Sequence, residues 1–196
     1  MPLLEARSAA APDVILRAFG AECATRVETI LRDTAVFSPD EIRVARELLD
    51  DAALHASSGV DDRGGTRADL RSPPPYSFLG SFTPDGELVG FACYGPTPGT
   101  DRTYDLYWIA VNPAHGRAGL ASLLIDEVER RLQGQTARLM VVETSSRSDY
   151  TPARRFYARR GYAEAARVAG FYAPDDDRII LTKRIQPPTG RGARSR

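Results

Sequence analysis

Residues 103–132 read TYDLYWIAV, then NPAHGRAG, then LASLLIDEVERRL: an apolar strand pattern, a glycine-bearing loop and an amphipathic helix, joined directly. No other feature constrains the fold as much. Gly116 and Gly119 lie between the strand end and the helix start. Such a connection is either a tight link or a cradle of backbone N–H groups for an anion. The first amides of a helix have no partner one turn back, and the positive end of the helix dipole lies there. This loop also carries no carboxylate to repel a phosphate. Its spacing matches neither G-x-x-x-x-G-K-[ST] nor G-x-G-x-x-G, which argues against a nucleotide triphosphatase or a Rossmann dehydrogenase. In the following helix, Leu120, Leu123, Leu124, Val128 and Leu132 are expected to face a core. Asp126, Glu127, Glu129, Arg130 and Arg131 are expected to face water.

Elements can be read on both sides of this unit. Asp13–Phe19 reads as a short strand stopped by Gly20. Val27, Ile30 and Leu31 stand at helical spacing. A second helix opens at FSPDEIRVARELLDDAALHA, where Ser38 can cap, Pro39 suits the first helical position and Glu41 completes a capping box. Its buried stripe is Ile42, Ala45, Leu48, Leu49 and Ala52. Residues 57–75 are rich in Gly, Ser, Asp and Pro and read as a loop. A hairpin follows, YSFLGSF and LVGFACYG around TPDGE. After the 103–132 unit, ARLMVVETS is a continuous apolar run, expected to be covered on both faces. TPARRFYARRGY reads as a helix capped by Thr151, with Pro152 at its start and Gly161 as its stop. Two last strands are expected near 162–168 and 178–183, flanking a turn-rich AGFYAPDDD.

The chain of 196 residues suits one buried core. Residues 13–184 are expected to form one mixed α/β domain, between a flexible lead (1–12) and a basic, Pro/Gly-rich, disordered tail (185–196). The 26 basic side chains balance 26 acidic ones, so no global field points to nucleic acid or an anionic membrane. Cys23 and Cys93 lie far apart, as do His55 and His115, and no metal-ligand spacing results. Cys93, in LVGFACYG, is expected to be a buried small hydrophobe. No apolar stretch approaches the roughly 20 residues of a membrane span, and the N-terminus lacks a basic-then-apolar signal pattern. These features lead to the expectation of a cytoplasmic protein without metal.

Val111 and Pro113, Gly116-Arg117-Ala118-Gly119-Leu120-Ala121, and later Ala153, Phe156, Tyr157, Gly161 and Tyr162 make two linked motifs. In sequence and spacing they resemble the GNAT superfamily of acyl-coenzyme A-dependent N-acetyltransferases. The order of elements agrees over nearly the whole chain. Gly116 stands where the family usually has Gln or Arg, and Tyr150 where it commonly has Asn. The resemblance implies a mixed, mostly antiparallel central sheet with flanking helices. It also implies acetyl-coenzyme A as cosubstrate and a small-molecule or peptide amine as acceptor, and it admits a homodimer. Pantetheine would lie in a splay between the fourth and fifth strands, on the backbone of Ile109 and Val111. The pyrophosphate would rest on the amides of Gly116, Arg117, Ala118, Gly119, Leu120 and Ala121, with the Arg117 side chain in reach of a phosphate.

By the same resemblance Tyr157 would be the acid that protonates the leaving thiolate. The base would be a carboxylate, with Asp105 and Glu143 as candidates. Strand alternation puts Asp105 on the face of Tyr107 and Ile109, while Glu143 ends a buried run where an unpaired carboxylate would be costly. Tyr172 with Asp175, Asp176 and Asp177 would form an acidic lip to the acceptor pocket or an ordinary turn. Tyr107 and Trp108 would wall that pocket or fill the core. Among Arg154, Arg155, Arg159 and Arg160, most would be solvated and one could reach the coenzyme's ribose phosphate. The alternatives to an enzyme are a non-catalytic coenzyme A-binding regulatory module and a domain that binds no coenzyme.

Overall fold

In the computed structural model, residues 13–57, 75–116 and 119–185 are described. The lead, most of the 57–75 loop, the tail, Arg117 and Ala118 lie outside them. The elements are β1 (Ile15–Ala18), α1 (Ala24–Asp33), α2 (Pro39–Ser57), β2 (Ser77–Phe82), β3 (Leu88–Pro96), β4 (Thr103–Val111), α3 (Leu120–Gly134), β5 (Leu139–Ser145), α4 (Thr151–Arg159), β6 (Ala163–Ala173) and β7 (Asp176–Arg184). The strands form one sheet in the order β1-β2-β3-β4-β5-β7-β6. Every pairing is antiparallel except β4 with β5, which is parallel. A parallel pair needs a crossover, and α3 supplies it. The fold is the mixed, mostly antiparallel α/β architecture expected.

Each face of the sheet carries one core. On the first face, Val27, Ile30 and Leu31 of α1 and Ile42, Ala45 and Leu49 of α2 pack on Phe78, Phe82, Phe91, Cys93 and Ala110. On the second, Leu124, Ile125, Val128 and Leu132 of α3 pack with Tyr157 of α4 on Leu79, Ala92, Leu106, Met140, Val142, Ile179 and Leu181. The start of α2 is a complete capping box: Ser38 N–H donates to Glu41 (2.7 Å) and Glu41 N–H to Ser38 Oγ (3.2 Å).

Several expectations need correction. Leu123 is only half-buried and Ile125 takes the core position. Glu129, expected in water, is 9% exposed; it accepts from Tyr162 Oη (3.0 Å) and Lys183 Nζ (2.6 Å), so its charge is paired. Thr151 is the first helical residue of α4 and Tyr150 its cap. Gly161 does end that helix, with φ +81° that a side chain would strain. The last two strands are longer than expected, and the nine-residue turn contracts to a tight hairpin at Pro174-Asp175, with Tyr172 inside β6. Ile185, assigned to the tail, is buried and its N–H donates to Arg138 O (3.1 Å).

Leu124 is fully enclosed, so Leu124→Ala is expected to cost about 2–5 kcal/mol in urea unfolding without changing the fold. On the outer side of α3, Glu127 accepts from Arg130 (2.7 Å) and Arg131 (2.8 Å), and Arg130 foremost holds its carboxyl down at about 2. A carboxyl lowered on folding contributes stability present above 4.5 and lost as pH falls through about 2. Glu127→Gln should therefore flatten the decline of the unfolding temperature over that acid range.

Candidate active site

The ladder between β4 and β5 stops early. It pairs Thr103–Leu106 with Leu139–Val142, four residues on each side, although β4 continues to Val111 and β5 to Ser145. Beyond that point β4 stays with β3 as far as Val111↔Gly90, and β5 stays with β7 as far as Ser145↔Arg178. The sheet therefore opens into a gap. Its cause is visible in the β3–β4 register, which jumps from Cys93↔Trp108 to Tyr94↔Leu106. Tyr107 is the extra residue of a bulge, and a bulge bends its strand and adds twist where it sits.

The bulge also changes which side chains share a face. Tyr104 and Leu106 lie on the α3/α4 side, with Ile109 and Val111; Tyr107, Trp108 and Ala110 lie on the α1/α2 side. Asp105, between Tyr104 and Leu106, points with Tyr107 and Trp108. The expectation that Asp105 shares a face with Ile109 is thus wrong, because simple alternation fails across the extra residue. Backbone direction follows the same register. Asn112 N–H donates to Val89 O (2.8 Å), so Ala110 and Trp108 also aim their polar groups at β3. Ile109 and Val111 then direct theirs toward the gap.

On the α1/α2 side the gap widens into a cavity of about 580 Å³. Asp105, Leu106, Tyr107 and Trp108 of β4 and Val141, Glu143, Thr144 and Ser145 of β5 form its floor. Phe37, Ser38 and Glu41 enter from the start of α2, Arg147 and Tyr150 from the turn before α4, and Tyr172 and Asp176 from the β6–β7 hairpin. The expectation that β5 is covered on both faces fails here, since Val141 and Glu143 front the cavity. Asp176 is not a solvated turn residue. It is 6% exposed and accepts from Ser145 Oγ and from Ser146 N–H (3.2 Å). Asp177 faces away, holding Gly170 N–H (2.9 Å) and Arg167 (3.0 Å). Arg154 donates to the carbonyls of Ser145 (2.6 Å) and Arg147 (2.8 Å), clamping the end of β5 to α4.

The two candidate bases differ in charge environment. Glu143 is ion-paired with Arg178, whereas Asp105 accepts from the neutral hydroxyl of Thr97 (2.7 Å). Burial, reinforced by Asp105, pushes the Tyr107 phenol up to about 12. Burial and then Glu41 do the same for Tyr150, also to about 12. Cys93 is enclosed and desolvation raises its thiol well above the ordinary range, which removes it as a nucleophile.

Tyr157 does not line this cavity. It is 5% exposed on the opposite face, edge-on to Phe156 (5.3 Å) and Tyr162 (5.4 Å), in the cluster that holds Leu106 and Val142. Burial lifts its phenol well above the usual range, so it keeps its proton at neutral pH. The carboxylates therefore face the cavity on one side of the sheet, and Tyr157 is packed in the core on the other.

The start of α3 lies on from the free edge of β4. Gly119 caps it in the left-handed region (φ +77°), and the helix ladder begins with Leu123 N–H to Gly119 O (3.0 Å). The amides of Leu120, Ala121 and Ser122 precede that bond and have no partner one turn back. Leu120 itself is buried through its side chain. Gly116 departs from expectation: its N–H is already spent on Pro113 O (3.0 Å), closing the preceding 3-10 turn. In that turn His115 Nδ1 is buried without a partner among the described residues. Nearby, Ser122, Phe156, Arg159 and Arg160 enclose about 350 Å³ between α3 and α4; Arg160 also pairs with Asp126.

Asp105 and Glu143 thus line one cavity, while Ile109 and Val111 lie on the free edge of β4 and Gly119, Leu120 and Ala121 at the start of α3. Sequence reasoning missed Phe37, Glu41, Ser145 and Arg147. Glu41 was legible only as a cap, because nothing local tells that the first turn of α2 overlies the gap.

The pattern of the acetyltransferase (GNAT) family matches residues 42–162, more than half of the chain. A crystal structure from Desulfovibrio desulfuricans, of a protein assigned to the GNAT family, is 35% identical over 88% of this chain and 99% of that one, with a TM-score of 0.77. The ribosomal-protein-S18-alanine N-acetyltransferase of Escherichia coli shares the fold at 16% identity (93% and 99% covered, TM-score 0.62). So does the paiA N-acetyltransferase of Thermoplasma acidophilum, solved with coenzyme A, at 16% identity (88% and 99% covered, TM-score 0.64). No curated protein sequence matches the chain. With the split sheet, the family pattern and the 35% identical structure in agreement, the chain belongs to the GNAT family of acetyltransferases.

Proposed function

We propose that the protein transfers an acetyl group from acetyl-coenzyme A to a primary amine by direct attack, with both substrates bound together. The observation that carries this reading is the β4–β5 gap. One opening leads to a carboxylate-lined cavity, and the other to the start of α3. The residues fit an extended thioester with an anionic head. Ile109 and Val111 offer strand-like donors and acceptors. The amides of Leu120 and Ala121 offer an anion site at the positive helix end, and His115 Nδ1, without a partner among the described residues, lies in the turn before it. Arg159 adds a cation near the same end. The Thermoplasma neighbour, solved with coenzyme A, supports this ligand.

Bound there, the thioester supplies an activated acetyl group; the chain supplies proton handling and position. Asp105 receives, directly or through water, the proton an acceptor ammonium must lose before its nitrogen can attack the carbonyl carbon. As the C–S bond breaks, Tyr157 donates its phenolic proton to the departing sulfur. We assign the base to Asp105 rather than Glu143 because Arg178 stabilises the Glu143 charge and weakens it as a base. No enzyme-bound acetyl intermediate is required, which suits a buried Cys93. The free cysteines, and the lack of a helix among the described residues long and apolar enough to cross a membrane, favour the cytoplasm as its setting.

Acetyl-coenzyme A at ~100 times its dissociation constant should stabilise the protein by about 2.7 kcal/mol in thermal melting, and ATP should not. Tyr157→Phe is expected to retain that shift while kcat falls roughly 10²–10⁴-fold; unchanged turnover would remove Tyr157 from the mechanism. Asp105→Asn should lower kcat/KM roughly 10²–10⁴-fold, and Glu143→Gln should lower it far less; equal losses in steady-state assays would remove the distinction. A protein that binds the coenzyme but acetylates no amine is instead a regulatory module.

A further inference from the structure

The charges on the cavity wall do not balance. Four carboxylates face it: Glu41, Asp105, Glu143 and Asp176. Glu143 is neutralised by Arg178. Arg147, the cation among the lining residues, is engaged by Asp149 and lies over the Tyr150 ring at 5.5 Å. The hydrogen-bond partners of the other three are neutral: Ser38 N–H for Glu41, Thr97 Oγ1 for Asp105, and Ser145 Oγ with Ser146 N–H for Asp176. None of these three forms an ion pair among the described residues, although Arg147 acts on Asp176; with the pairs counted, the cavity keeps a surplus of negative charge. A cationic ligand would offset that surplus.

These charges fall into two groups. Asp105 sits on β4 next to the gap and is the carboxylate that acts on Tyr107. Glu41 and Asp176 come from α2 and from β7, yet both act on the same two rings, Tyr150 and Tyr172. Both line the cavity together with those rings and with Arg147, whose charge is taken up by Asp149; aromatic faces and carboxylates together suit an ammonium group. Asp105 stands opposite Val141, and Asp176 is bonded to Ser145, four residues further along β5. The lining also holds the apolar surfaces of Leu106, Trp108 and Val141, along which a methylene chain can lie, with the ion-paired Glu143 beside them.

We propose that the acceptor is an aliphatic amine with at least two ammonium groups: the reacting nitrogen beside Asp105, the distal charge between Glu41 and Asp176. The inference rests on the acetyl-transfer reading, and it assigns Glu41 as a specificity-determining residue. In the reaction the proximal ammonium loses one proton toward Asp105, and its nitrogen bonds the acetyl carbon as the C–S bond breaks. The second proton leaves that nitrogen as the amide forms, while the sulfur takes one proton from Tyr157, which is then reprotonated. The distal group stays charged and unmodified.

The test compares spermidine and putrescine with n-butylamine, and with kanamycin as a polycation built on polar saturated rings rather than on a methylene chain. It uses wild type and Glu41→Gln. The amide oxygen of Gln still accepts from Ser38 N–H, so the capping box survives, and thermal unfolding checks this. Two readouts are taken: calorimetric binding to the coenzyme A-loaded protein, and steady-state transfer. Expected are a kcat/KM for spermidine about 100-fold above that for butylamine, a spermidine KM that rises with salt, and an approximately tenfold loss of the spermidine preference in Glu41→Gln through KM rather than kcat. Equal use of butylamine, an unchanged preference in the variant, or a preference for kanamycin would overturn the assignment while leaving acetyl transfer intact. Spermidine binding that weakens tenfold in Glu41→Gln without acetylation of any amine would uphold the ligand and overturn the transfer.

Discussion

Everything distinctive about this molecule follows from four paired residues where there could have been more. β4 and β5 run parallel from Thr103 and Leu139, part after Leu106 and Val142, and never rejoin. A parallel ladder carries evenly spaced hydrogen bonds along its length, so ending it leaves a row of polar backbone groups on β4 with no strand to meet. The bulge at Tyr107 produces this divergence by inserting one residue opposite β3. The same insertion turns Tyr107 and Trp108 to one face and leaves the edge at Ile109 and Val111 facing the gap. A single irregularity thus makes both the slot and its aromatic lining.

Holding such a gap open needs ties on each side of it, and polar contacts supply them. Arg154 grips the carbonyls of Ser145 and Arg147, and Asp176 takes Ser145 and Ser146. These bonds fasten the free end of β5 to α4 and to the β6–β7 hairpin in place of the missing ladder with β4. On the other half, the Phe78 and Phe91 rings and the α1–α2 pair anchor β2 to β4. The sheet is therefore two well-packed halves joined by a short seam, with α3 crossing between them. Asp105 and Tyr157 lie on opposite faces of this sheet, so the proposed mechanism requires a substrate that passes through the seam.

Much of the fold was legible because it obeys local rules. The capping box at Ser38 and Glu41, the helical stripe of α1 and α2, the hairpin around Gly86 and the uninterrupted TYDLYWIAV strand all depend on near neighbours. The errors have a common physical origin in contacts distant along the chain. Glu129 looked solvated because its partners, Tyr162 and Lys183, come from other elements. The β6–β7 hairpin looked like a long turn because AGFYAPDDD is polar at its end; pairing to β7 extends the strand through Ala173. Alternation along β4 puts Asp105 on the face of Ile109, but the bulge at Tyr107, which exists only between two strands, reverses this. The Gly116 amide, free for a phosphate by sequence, is held by Pro113 O.

The sequence by itself determined the order of elements, the mixed α/β class, the glycine-bearing entry to α3 and the two linked motifs that carry the family. Each of these is written in spacing, capping and turn chemistry within one element or between adjacent ones. Only the tertiary structure decided how the carboxylates were shared out. It paired Glu143 with Arg178, gave Asp105 a neutral partner, buried Asp176 against Ser145, and carried Glu41 over the gap on the first turn of α2. Ion pairing and desolvation depend on which distant segments meet, and periodicity does not encode this. The chemistry of the slot could therefore be read along the chain, while the charge of the cavity that feeds it could be read only in three dimensions.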